Sequence, residues 1–116
     1  MLPYRERLAF DQRRKAYEQI TQRRPDLIPF IVERHNKRDT PALDKEKFLL
    51  PHDITMAQLK YVIKKRISPF NKAQALFLFV KGSVPTSTST AQQVKSAYQD
   101  EDGFVYVTYA LENTFG

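Results

Sequence analysis

The apolar positions change their period along the chain, and the changes mark out its elements. Residues 5–22 contain neither Gly nor Pro, and Phe10, Tyr17 and Ile20 recur at near-helical spacing among basic residues. That predicts a helical piece with a thin apolar stripe, lying on a domain rather than forming its centre. Pro25 ends it, because the residue before a proline is pushed away from helical angles. Residues 28–35 are β-branched and aromatic, which predicts a strand. Residues 36–44, with Pro41, read as a loop, and residues 45–50 mix charges with Phe48, Leu49 and Leu50 up to Pro51. Two strands joined without an intervening helix pair antiparallel. The charges and Pro51 suit an edge strand.

Thr55 and Gln58 form a capping-box pattern, in which hydroxyl and amide satisfy the free N–H groups of a helix start. Met56, Leu59, Ile63 and Ile67 follow on one face, with Lys60, Lys64 and Lys65 on the others, and Ser68 and Pro69 close the helix. Residues 76–80 are continuously apolar, which predicts a strand covered on both faces with Phe77 and Phe79 in the core. A Ser/Thr loop over 83–90 leads to a second cap pattern, Thr90 with Gln93, opening a short helix that reaches Tyr98. Residues 104–111 make the strongest strand, expected at the centre of a sheet. Residues 112–116 have no reason to pack and read as a flexible tail. A helical N-terminal piece followed by ββαβ, a short helix and a last strand is the α+β order of a β-grasp: one amphipathic helix on a mixed four-stranded sheet. A ferredoxin-like RNA-recognition domain would instead begin βαβ.

Composition narrows the chemistry. With 116 residues, 41% of them hydrophobic, the chain suits one folded domain. It has no cysteine, which removes disulfides, thiolate nucleophiles and the common zinc sites and fits a reducing compartment. The charged N-terminus does not read as a signal peptide, and no apolar run approaches the ~18 residues of a membrane span. His35 and His52 stand apart from any ligand cluster, and Gly82, Gly103 and Gly116 make no phosphate-binding loop. Asp100, Glu101 and Asp102 read as solvated carboxylates in a turn. No enzyme, cofactor or metal is expected.

Charge adds an asymmetry. The net formal charge is +6, yet seven basic residues face three acidic ones up to Arg24, while only acidic charges occur from Tyr98 onward. A basic face serves acidic peptides, anionic lipid, tubulin tails or RNA, and charge alone does not choose among them. Strand order and the missing aromatic RNA motif argue against specific nucleic-acid binding.

Taken in order, Phe10 with Arg13 and Arg14, Pro25 and Asp26, residues 29–33, 43–51, 63–67 and 75–80, Pro85, and the closing Phe115 and Gly116 resemble the autophagy ubiquitin-like modifiers. That group includes the GABA-receptor-associated protein and the microtubule-associated light chains. The resemblance covers nearly the whole chain. It implies a ubiquitin-like β-grasp with two additional N-terminal helices, divided as an N-terminal helical extension over 1–25, the β-grasp domain over 26–111, and a conjugation tail over 112–116.

It also implies two devices. In the first, an extended aromatic-x-x-aliphatic motif of a cargo receptor or adaptor adds to the edge strand at 45–50. Its aromatic residue enters a pocket of Ile20, Pro29, Lys47, Leu49 and Phe104. Its aliphatic residue enters another formed by Phe48, Leu50, Pro51, Ile54, Leu59, Ile63 and Arg66. Acidic flanks meet Lys45, Lys47, Arg13 or Arg14. Leu59 and Ile63, on the inward helix face, also read as plain core. In the second device, the carboxylate of Gly116 is activated by E1-like and E2-like enzymes and joined to phosphatidylethanolamine, a cysteine protease processing or deconjugating the tail. Glycine suits this step because no Cβ crowds the acyl carbon. The resemblance places the protein in the cytoplasm, and on autophagosomal or vesicle membranes once lipidated. An unlipidated peptide-binding adaptor at the cytoskeleton or at vesicle membranes, with tubulin among its partners, is the alternative.

Overall fold

The computed structural model describes residues 2–35, 40–67 and 75–111. The element order is α1 (Tyr4–Arg7), α2 (Phe10–Arg23), β1 (Leu27–Arg34), β2 (Lys47–Pro51), α3 (Met56–Arg66), β3 (Leu76–Phe79), α4 (Ala91–Tyr98) and β4 (Val105–Leu111). The strands form one mixed sheet in the order β2-β1-β4-β3. β1 pairs antiparallel with β2 and parallel with β4, and β3 pairs antiparallel with β4. The last strand thus lies inside the sheet, as its unbroken β-branched and aromatic run predicts. Ser68 to Lys72 and the tail with Gly116 lie outside the described residues.

Strand alternation gives the sheet two different faces. Ile28, Phe30, Phe48, Leu50, Leu76, Leu78, Val105, Val107 and Tyr109 meet Met56, Leu59 and Ile63 of α3 and Ala91 and Val94 of α4 in the main core. On the opposite face Tyr4, Ile31 and Phe104 form a smaller core, with Leu8, Ala16, Tyr17, Ile20 and Tyr106 packed around it. The N-terminal helices therefore complete a second layer, although α2 itself has no fully buried residue.

Both capping boxes are present, with Thr55 accepting from the Gln58 amide N–H and Thr90 from that of Gln93. The two helix starts abut: Met56 N donates to Ser89 O at 2.9 Å and Ala91 N to Ile54 O at 2.8 Å. Residues 87–91 are thereby stapled along the beginning of α3.

Four features differ from the sequence reading. The N-terminal pattern reads as one helical piece but breaks at Leu8 and Ala9, where the backbone is extended, giving the two N-terminal helices that the resemblance implies. The second strand starts two residues later than expected and takes in Pro51, since the ladder with β1 runs from Lys47 opposite Ile31 to Pro51 opposite Leu27. β3 is an edge strand with one open face: Leu76 and Leu78 are buried, but Phe77 is 39% exposed and Phe79 half-buried. The N-terminal helices that cover this side of the sheet pack around Ile31 and Phe104 on the central strands, so Phe77 is left outside either core.

The fourth difference concerns the acidic turn. Asp102 is fully buried, not solvated. It accepts hydrogen bonds from Arg13 Nε at 2.9 Å, Phe104 N at 2.9 Å and the Tyr106 hydroxyl at 2.5 Å. Arg13 also donates to Leu8 O at 2.8 Å and Arg5 O at 3.2 Å, so one guanidinium joins α1, α2 and the start of β4. Arg5 pairs with Asp100 in the same turn, and its guanidinium lies 4.1 Å from the centre of the Tyr106 ring. Beside this network Gly103 adopts φ +104°, and an added Cβ would fall 2.3 Å from the Tyr17 ring.

Two predictions follow from this packing. Gly103→Ala brings both backbone strain and that clash, and should lower stability by about 1–3 kcal/mol in urea titration. Combining it with Tyr17→Ala should recover the steric part only. The Tyr106 phenol is pushed above the ordinary tyrosine range by burial and then by its bond to Asp102. Tyr4 and Tyr109 are also raised, mainly by burial. Unfolded tyrosines ionise near about pH 10, so this stabilisation is complete below that pH and lost as pH rises above it. The urea midpoint should fall steeply in that alkaline range, and less steeply in Tyr106→Phe.

Candidate functional site

β2 is hydrogen-bonded to a single neighbour, β1, so its other side presents unpaired backbone groups at the edge of the sheet. Its side chains alternate strictly: Lys47, Leu49 and Pro51 are exposed, and Phe48 and Leu50 buried. The register puts Lys47 beside Ile31 and Leu49 beside Pro29, on the face that carries α2. Phe48 beside Phe30 and Leu50 beside Ile28 turn toward α3. A chain added to this edge would meet one surface above the sheet and another below it.

Above the sheet, Ile20 is half-buried in the smaller core, Pro29 is buried, and Leu49 is 39% exposed. Phe104 is 0% exposed. Tyr4 and Tyr17 both stand edge-on to its ring, at 5.5 and 5.6 Å between centroids, and Lys47 Nζ lies 5.3 Å from the centre of the Tyr4 ring. Tyr4, Tyr17 and Ile31 therefore pack around this site, although the sequence reading did not count them among its pocket residues. A one-turn helix gives Tyr4 no periodicity, and Ile31 reads only as strand.

Below the sheet, Phe48, Leu50, Leu59 and Ile63 are all core residues, and Ile54 is half-buried against them. Pro51 and Arg66 stay exposed. Lys45 Nζ and the Arg66 guanidinium lie 4.5 and 5.9 Å from the centre of the Phe48 ring. Arg66 also donates two hydrogen bonds to Asp44, at 3.0 and 2.8 Å, which hold that carboxyl below the usual range. The accessible part here is thus a rim of Pro51, Ile54 and Arg66 over a closed interior.

The basic residues divide. Lys45 and Lys47 are exposed beside the edge. Arg13 points inward to Asp102, away from that edge, and Arg14 pairs with Glu18 and bonds Glu101 O. Glu46 pairs with Arg7. Upstream of β2, Leu2, Pro3, Arg7, residues 32–34 and residues 42–46 line an open cleft of about 360 Å³ that continues the edge. Among the described residues, no group of three or more acidic or histidine side chains converges as metal ligands would.

A sequence profile for the family described as "Autophagy protein Atg8 ubiquitin like" matches residues 12–116. Autophagy-related protein 8 of Dictyostelium discoideum is 42% identical over 106 residues, covering 91% of this chain and 87% of the relative. Autophagy-related protein 8c of Arabidopsis thaliana is also 42% identical, with 91% and 88% covered. The fold is similar to the crystal structure of Trypanosoma brucei ATG8, with a TM-score of 0.89, 34% identity, and 100% and 99% of the two chains covered. It also resembles Plasmodium falciparum Atg8 in complex with a peptide of Plasmodium falciparum Atg3, with a TM-score of 0.83, 27% identity and 95% and 96% coverage. Sequence and fold agree over the whole ubiquitin-like domain, and the chain belongs to the Atg8 family of autophagy proteins.

Proposed function

We propose that this protein is a lipid-anchored adaptor of autophagy: a modifier, not a catalyst, that captures aromatic-x-x-aliphatic peptides along β2. The observation that carries this reading is the edge itself, with its unpaired backbone and its strict alternation of exposed Lys47 and Leu49 with inward Phe48 and Leu50. The peptide adds as a further strand. Its aromatic residue docks against Ile20, Pro29, Lys47, Leu49 and Phe104, and its aliphatic residue against the rim at Pro51, Ile54 and Arg66. Acidic flanks meet Lys45 and Lys47, while Arg13 takes no part because Asp102 holds it. An E2-like enzyme of the Atg3 type is one such partner, by analogy with the peptide bound to the Plasmodium relative.

Burying one aromatic and one aliphatic side chain contributes roughly 3–6 kcal/mol before ordering costs. With strand hydrogen bonds this gives a Kd on the order of micromolar. Gly116 is the conjugation point, its carboxylate passing through E1-like and E2-like enzymes to phosphatidylethanolamine, whose two acyl chains anchor the protein firmly. The protein then moves between cytoplasm and autophagosomal membrane, and a cysteine protease acts on the tail.

In calorimetric titrations with an acidic-flanked aromatic-x-x-aliphatic peptide, Leu49→Asp and Lys47→Glu should each weaken binding by about tenfold or more. Parent-like affinity in both would refute the groove. Separately, Gly116→Ala should abolish the phospholipid adduct seen by intact mass in starved cells, while leaving peptide affinity unchanged. A normal adduct on that variant would remove Gly116 as the conjugation point, and no adduct on the parent either would leave an unlipidated adaptor.

A further inference from the structure

The surface assigned to the peptide's aromatic residue is already filled. Phe104 is 0% exposed and Pro29 is buried, so no open slot leads to either. Two rings cover Phe104 from the helical layer, and they are held very differently. Tyr17 belongs to the 14-residue α2, its hydroxyl accepts a hydrogen bond from Gln99 at 3.1 Å, and its ring lies tight on Gly103. Tyr4 belongs to α1, a single turn of four residues with no side-chain cap. So short a helix has no stability of its own and exists only by packing.

What Tyr4 receives there is what an aromatic ligand would receive. Its ring is edge-on to Phe104 at 5.5 Å, shares with Ile31 the small core around which Ile20 packs, and carries Lys47 Nζ 5.3 Å from its centre. Yet Tyr4 fits imperfectly. It is 1% exposed, and its buried hydroxyl has no hydrogen-bond partner among the described residues. Leaving a buried hydroxyl unpaired opposes the packing of its ring.

The remaining ties of α1 are also limited. Tyr4 N donates to Glu33 at 2.7 Å, Arg5 O accepts from Arg13 at 3.2 Å, and the partly exposed pairs of Arg5 with Asp100 and Arg7 with Glu46 add to these, with Arg5 also 4.1 Å from the centre of the Tyr106 ring. Glu46 directly precedes β2, so acidic peptide flanks near Lys45 and Lys47 would compete with it for Arg7. Arg13 fixes Leu8 O at 2.8 Å and holds Arg5 O more loosely at 3.2 Å, so residues 4–7 swing about the extended Leu8 and Ala9 once that longer bond is given up.

We propose that Tyr4 is an internal occupant of the aromatic pocket, and that a peptide's aromatic side chain enters by displacing it and lifting α1. This rests on the reading of β2 as a peptide-adding edge. Free protein is then a closed state, and apparent peptide affinity is reduced by the fraction of time the pocket is filled.

The full chain is titrated with two peptides, an acidic-flanked aromatic-x-x-aliphatic sequence and the same sequence with Ala for the aromatic residue. Tyr4→Ala should bind the aromatic peptide about tenfold more tightly than the parent does and leave the Ala peptide unchanged. Tyr4→Phe keeps the ring without the unpaired hydroxyl, seats more firmly, and should bind the aromatic peptide about threefold more weakly. Hydrogen exchange gives an independent readout on the unmodified protein. The Arg7 and Leu8 amides, bonded to Pro3 O and Tyr4 O, should exchange faster when the aromatic peptide is bound. Slower exchange at those amides, or a Tyr4→Ala affinity equal to or below the parent's, would overturn the occupant and leave the groove standing. Failure of both the parent and Tyr4→Ala to prefer the aromatic peptide over the Ala peptide would overturn the groove, and the occupant with it.

Discussion

The charge pair between Arg13 and Asp102 is the constraint on which the upper layer of this structure depends. Asp102 has no access to water, so its charge is tolerable only because a guanidinium, a phenol and a backbone N–H converge on it. A buried charge stripped of its partner costs about 3–5 kcal/mol, a large share of the stability of any small domain. The same guanidinium holds the end of α1 and positions α2 over Phe104 and Ile31. Without it the thin apolar stripe of α2, which buries no residue fully, would have little to fix it on the sheet.

This explains the uneven charge along the chain. The basic N-terminal segment and the acidic residues after Tyr98 meet in space, as Arg5 with Asp100 and Arg13 with Asp102. Part of the basic surplus is thereby used internally, and the exposed basic residues beside the open edge, Lys45 and Lys47, come from the middle of the chain. The α3 side needs no such device. Its apolar cluster is held by burial, and the two capping boxes settle the helix starts.

Elements governed by local rules were legible from the residues. Thr55 with Gln58 and Thr90 with Gln93 cap helices as their spacing predicts, and the β-branched run after Phe104 is central. Positions decided by distant partners were not. Nothing near Asp102 announces a guanidinium 89 residues away. The apolar run at 76–80 resembles a fully covered strand, because sequence does not say how far the helical layer extends toward Phe77. The alternation of β2 was readable, and so was its place at an edge. The small core beside it depends on Tyr4, whose single helical turn leaves no pattern to read.

The position of β4 bears on how the chain matures. β4 is made after every other element of the sheet, yet it must slot between β1 and β3. Until it does, β1 has one bare side, β3 has no partner, and the main core lacks Val105, Val107 and Tyr109. Asp102 and Phe104 arrive with the same late segment, so the N-terminal helices, synthesised first, have nowhere to dock until the end. Vectorial synthesis therefore leaves this fold incomplete until β4 has been made, and both layers close on that one strand.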